Sequence, residues 1–214
     1  PVVEDPALSA KAQAGAVLLR DLGYLTHQPE PGPACYTVDG DAACGSSNIS
    51  AGFTTLADAV DAYLADFGVS SLGHRRWLLH PPLQRTGFGF VQGAGTYGVQ
   101  WVFGSGSTQV PAFVAWPSAG WFPGDALVGR WSFAVRNANF SSATVAVTRL
   151  SDGQAMNVTN VGQLPNGYGW NCLAYEVPGV VSGHDYRVVV DGVSGVAPSR
   201  YEYVTKWCDC PIGP

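Results

Sequence analysis

The hydrophobic period of this chain changes partway along it, and that change limits the folds it can adopt. Leu8, Ala12, Gly15, Leu19 and Leu22 recur at the 3.6-residue period, and Gly23 is placed to stop a helix over 7–23. A second stripe of Leu56, Val60, Tyr63 and Phe67 predicts a helix over 56–67, opened by Thr55 with Asp58 three residues on and closed by Gly68. A short helix is expected over Arg75–Leu79, ending before Pro81-Pro82. The period then falls to two. Phe88 and Phe90 alternate with glycines, Gly93-Ala94-Gly95 turns, and Tyr97, Val99, Trp101 and Phe103 share a face.

Beyond residue 104 only the two-residue period remains. Trp131-Phe133-Val135, Val145-Val147, Tyr186-Val188-Val190 and Tyr201-Tyr203-Thr205 alternate with more polar neighbours, separated by turn-rich stretches such as Pro165-Asn166-Gly167. The expectation is an α+β chain: a helix-and-sheet domain over residues 1–115, then a small all-β sandwich of immunoglobulin-like type over residues 116–214. Trp116, Trp121, Phe122 and Trp131 lie near that boundary, and their expected role is packing rather than stacking on sugar rings.

The 214 residues are 46% hydrophobic but only 13% charged, with a net charge of −5 and no basic run. That excludes an electrostatic footprint for nucleic acid, and no apolar run reaches the length of a membrane span. Starting on Pro1, the sequence is expected to be a processed mature chain or a fragment. Five cysteines without a Cys-x-x-Cys pair point to an oxidising, extracellular or secreted setting. Cys35 and Cys44 bracket "YTVDGDAA", taken as a turn, and are expected to pair. Cys172 is expected to pair with Cys208 or Cys210, with Cys208 preferred, which leaves Cys210 as the unpaired thiol. Asn48, Asn139 and Asn157 each open an Asn-x-Ser/Thr acceptor pattern and are candidate N-glycosylation sites.

The densest chemistry lies in "SLGHRRWLLHPPLQRTGFGF", residues 71–90. Arg75 and Arg76 are expected to fork onto carbonyls or onto Asp61 and Asp66. Gly87 and Gly89 are expected to allow close strand packing rather than to cradle phosphate. His80 reads as a loop residue and His184 as a turn residue.

With "GYLTHQP" (23–29), "CGSSNISAG" (44–52), "AVDAYLADFG" (59–68), "LGHRRWLLHPP" (72–82) and "TGFGFV" (86–91) in this order, residues 5–105 resemble a bacterial-type CAP-superfamily domain, the cysteine-rich secretory, antigen 5 and pathogenesis-related group. The resemblance implies an α-β-α sandwich. It also implies a surface cleft where two histidines and two acidic residues converge in many members. His27 and His74 occupy the histidine positions, Asp66 one acidic position, and Ser47 stands where the family has a glutamate.

His27, Ser47, Asp66 and His74 are therefore the candidate cleft residues. His27 and His74 are candidate ligands for a weakly bound divalent cation such as zinc, although no cofactor is required. Because Ser47 supplies no carboxylate, and no Gly-x-Ser-x-Gly nucleophile motif occurs, the expected function is a non-catalytic extracellular module. Its expected partner is an extracellular protein, a glycan or the other domains of a larger assembly. The alternatives are a metal-dependent hydrolase using His27, His74 and Asp66, and lipid or sterol binding as in some members of the resembled family.

Overall fold

The computed structural model describes residues 2–104, 110–126 and 128–209. Contacts divide the chain into two compact units, one of Pro1–Asp66 with His74–Val110, the other of Phe67–Gly73 with Pro111–Pro214. The second unit begins near residue 111, and it takes a seven-residue segment from inside the first half.

In the first unit, β1 (Val3–Glu4) precedes α1 (Pro6–Leu22), α2 (Val38–Gly45), β2 (Ser47–Ala51), α3 (Leu56–Ala65) and α4 (Gly73–Leu78). Then come β3 (Arg85–Thr86), β4 (Phe88–Val91) and β5 (Tyr97–Trp101). Local signals explain the helix ends. The Asp5 carboxylate accepts the Ala7 N–H at 2.9 Å, Pro6 sits inside the first turn, and Gly23 ends α1 in the left-handed region at φ 78°. Thr55 and Asp58 form the expected reciprocal capping box of α3.

β2, β5 and β4 make a three-stranded antiparallel sheet in that order. Ile49, Val99 and Tyr97 on one face pack with Ala12, Ala16 and Leu19 of α1 and Ala43 of α2. The spaced glycines do what was expected of them: a Cβ at Gly87 or Gly89 would lie 2.2 Å from the backbone of Leu8 or Ala12, so α1 rests directly on β4. The other face meets α3 and α4. A Cβ at Gly98 would touch Ala59, and the Asn48 carboxamide donates to the His74 carbonyl at 3.1 Å. Helices therefore cover both faces of the sheet.

One helix departs from expectation. The stretch taken as a turn between Cys35 and Cys44 is α2, with the Thr37 hydroxyl accepting the Gly40 N–H at 2.9 Å. Asp39 and Asp41 in its first turn complement the helix dipole. Gly15 of α1 lets α2 approach, since a Cβ there would sit 3.1 Å from the Ala43 Cβ. The expected Cys35–Cys44 bridge is not formed, and both thiols are free.

In the second unit, β6 (Val114–Trp116), β7 (Gly120–Pro123), β8 (Trp131–Val135), β9 (Thr144–Arg149), β10 (Thr159–Gln163), β11 (Asn171–Glu176), β12 (Asp185–Asp191) and β13 (Tyr201–Cys208) form two four-stranded sheets. Their orders are β10-β11-β8-β6 and β7-β13-β12-β9, and only β7 joins its neighbour in parallel. A single core lies between them, built from Trp131, Phe133, Leu173 and Tyr175 on one side and Phe122, Tyr186, Val188 and Trp207 on the other. Trp116 packs edge-on against Phe122 in this core, whereas Trp121 is 72% exposed and takes no part in it. The aromatic cluster expected at a junction is mostly the interior of the sandwich.

No disulfide is formed among the described residues. The expected Cys172–Cys208 pairing fails on strand parity. Leu173 and Tyr175 face the shared core, so Cys172 faces the other way, where it packs with Leu72, Leu164 and Ala174. Cys208 ends β13 in the opposite sheet, one residue past the inward Trp207, with its thiol against the Phe122 carbonyl. The two cysteines point outward from different sheets. Cys210 lies outside the described residues.

Candidate functional site

α3 ends at Asp66, which takes the left-handed conformation at φ 51° and caps the helix by donating its N–H to the Ala62 carbonyl at 2.7 Å. Aspartate tolerates that region better than most residues. The turn aims its carboxylate at the start of α4. There Oδ1 accepts from His74 Nδ1 at 2.8 Å and Oδ2 accepts the Arg75 N–H at 3.2 Å. Asp66 is only 4% exposed, and its charge is met by these two donors. Arg75 is fully buried, and its guanidinium donates to the carbonyls of Leu64 and Ala65, the orphan acceptors at the C-terminus of α3. The carbonyl fork expected of this arginine is formed.

The His74 ring stacks on Tyr63 of α3, with centroids 5.2 Å apart and an interplanar angle of 24°. Burial raises the Tyr63 hydroxyl well above its ordinary range, partly offset by the neighbouring Ser50 hydroxyl. The carboxylate accepts from Nδ1, so in neutral His74 the proton sits on Nδ1 and Nε2 is left as an acceptor. A buried carboxylate orienting an imidazole in this way is two-thirds of a hydrolytic triad. The His74 ring is held by Asp66 at one edge and by Tyr63 across its face.

The other two expected cleft residues are used differently. His27 Nδ1 lies 2.7 Å from the Cys44 carbonyl. A carbonyl only accepts, so Nδ1 carries the proton here too, and the ring ties the segment after α1 to the end of α2. Ser47 opens β2 on the same side as Ile49, whose side chain packs with α1 and α2. Its hydroxyl is buried and has no hydrogen-bond partner among the described residues. Asn48, the next residue, points the opposite way and holds α4 by the His74 carbonyl. The α2–β2 connection therefore meets His27 at Cys44 and His74 at Asn48.

These residues do not fit a metal centre. Among the described residues no three His, Cys, Asp or Glu side chains are grouped to hold an ion, both Asp66 oxygens are engaged, and the Ser47 hydroxyl is shut away. His27 and His74 each use Nδ1 within the fold, on the Cys44 carbonyl and on Asp66, and each keeps Nε2 as an acceptor. The sequence reading missed the role of Asn48, which it took for a glycosylation acceptor. At 2% exposure and bonded to His74, Asn48 is unsuited to that, whereas Asn139 and Asn157 are exposed. His80 lies edge-on to Trp77, and burial holds it below the ordinary imidazole range.

Among the described residues no helix is long and apolar enough to cross a membrane. Residues 1–104 match the profile of the cysteine-rich secretory protein (CAP) family, a span that contains α1 to α4, the three-stranded sheet and the Asp66–His74 pair. No curated protein matches the chain.

Proposed function

Taking residues 1–104 as a domain of the cysteine-rich secretory protein family, we propose that the chain is a secreted, non-catalytic module for extracellular binding or assembly. The observation that carries this reading is how the Asp66 carboxylate is used. Both of its oxygens are committed to the fold, one to His74 and one to the Arg75 backbone. A carboxylate used in this way fastens α4 to the end of α3, which supports a structural role for the pair. The second half is part of the same proposal as an immunoglobulin-like sandwich, supported by two four-stranded sheets around one aromatic core. Its partner is an extracellular protein or glycan, or a further domain of the same assembly.

The competing reading is a hydrolase using His27, His74 and Asp66, and one observation favours it, the oriented His74 with Nε2 left as an acceptor. A panel of ester, peptide and glycoside substrates, run with and without zinc, separates the two. The binding reading expects no turnover above buffer. Turnover that His74→Ala abolishes would overturn it.

A further inference from the structure

The outer face of the β7-β13-β12-β9 sheet carries one large aromatic side chain among charged ones. Alternation sends Tyr201, Tyr203 and Trp207 of β13 into the core, so Glu202 and Lys206 stand on the outer face. In edge strand β7, Phe122 joins the core and Trp121 points outward, 72% exposed. Register sets Trp121 beside Lys206, and Lys206 beside Asp185 of β12. The Lys206 ammonium lies 5.3 Å from the centroid of the Trp121 ring. Arg187, two residues along β12 from Asp185, is exposed on the same face, as is Glu202.

The size and charge of this patch narrow its occupant. One tryptophan offers roughly 150–250 Å² of surface, far below the roughly 800 Å² that each side of a stable protein interface buries. A lipid surface needs a contiguous apolar face, whereas Val204 and Val189 on this face are half-buried and interspersed with Lys206, Asp185, Arg187 and Glu202. Two cations, Lys206 and Arg187, balance two anions, Asp185 and Glu202, so the patch has no net attraction for a polyanion. What remains is a ring-sized aromatic surface bordered by both donors and acceptors.

That combination suits a sugar, whose C–H face packs on an indole while its hydroxyls both donate and accept. We infer that this sheet face binds a neutral polysaccharide, with Trp121 as the stacking platform and Lys206 and Asp185 as its hydrogen-bonding flanks. This deepens the binding-module reading by naming one surface and one ligand class.

Affinity electrophoresis of the 214-residue chain through gels containing glucomannan, xyloglucan or dextran, with sedimentation on cellulose and chitin, tests it. The wild-type chain is retarded or sedimented by at least one polymer, and high salt does not release it. Trp121→Ala weakens that interaction about tenfold or more and Trp121→Phe less, as for a dominant contact residue, while circular dichroism stays unchanged because the side chain is exposed. Lys206→Met weakens it by a smaller factor. Wild-type chain that ignores every polymer, retention that high salt abolishes, or a Trp121→Ala variant that binds like wild type would each overturn the assignment. None of these would touch the non-catalytic reading, which turnover at His74 alone would sink.

Discussion

Asp66 and His74 stand at the two ends of the Phe67–Gly73 segment and close it with the 2.8 Å contact between Oδ1 and Nδ1. The second oxygen of Asp66 takes the Arg75 N–H in the same turn, so one buried carboxylate satisfies two donors at the start of α4. Asp66→Ala leaves both without that acceptor and also puts alanine at φ 51°. The expected loss of stability is about 2–4 kcal/mol. Asp66→Asn keeps an acceptor and a side chain that tolerates the left-handed region, so it costs less than the alanine variant. Urea unfolding of both variants checks the order; equal losses would mean that the carboxamide cannot take over the contact.

Inside the segment, Leu72 is 1% exposed and packs with Leu164, Cys172 and Ala174 of the second unit. Ser70 and Gly73 belong to the same packing, through the Arg130 guanidinium on the Ser70 carbonyl at 2.9 Å and the Tyr168 ring over Gly73. Leu72→Ala removes a fully buried leucine and should cost about 2–5 kcal/mol. Limited proteolysis reports the same change locally. The wild-type segment resists cleavage at Phe67–Gly73, and the variant is cut there first.

How legible the fold was depended on whether its signals were local. α1, α3 and the β4–β5 hairpin follow from periods, caps and turns contained within a dozen residues or so, and they appear close to where the sequence put them. α2 does not, because "VDGDAACG" has no apolar stripe; it is a helix through the Thr37 cap and its close packing on Gly15. The cysteine pairings failed for a related reason. The inward and outward positions of β11 and β13 can be read from alternation, but the assignment of the two strands to opposite sheets is topology, which no local pattern records. At the site, family likeness pointed to Asp66 and His74, whereas Ser47 and Asn48 exchanged importance because a single step along β2 reverses the face.

Gly89 carries a severe steric demand. A Cβ there would lie 2.2 Å from the carbonyl carbon and oxygen of Ala12, main-chain atoms in the middle of α1 that cannot swing aside. Gly89→Ala must lift the helix off β4. The expected cost is about 3 kcal/mol, at the upper end of overpacking substitutions. Gly93→Ala, where the nearest atom is a flexible Arg20 methylene at 3.7 Å, is the control and should be nearly neutral by thermal denaturation.

Cys44 connects burial to alkaline stability. Its side chain is buried beside Gly15, with the thiol 3.9 Å from the Gly15 carbonyl. Burial first, and then the nearby Asp41 charge, push the thiol from 9.0 up to about 11. A pKa raised on folding means that the neutral thiol is the form the folded state favours. Its contribution to stability is complete below pH 9, where both states keep the proton. It is lost as pH climbs from 9 towards 11, because the unfolded chain ionises first. Unfolding free energy measured across that window should fall in the wild-type chain, and the part of the fall below the tyrosine range should vanish in Cys44→Ala. The same burial makes native Cys44 slow to react with a thiol reagent at neutral pH, while the half-buried Cys35 and Cys208 react first. Labelling of Cys44 ahead of both would contradict the packing of α1 on α2.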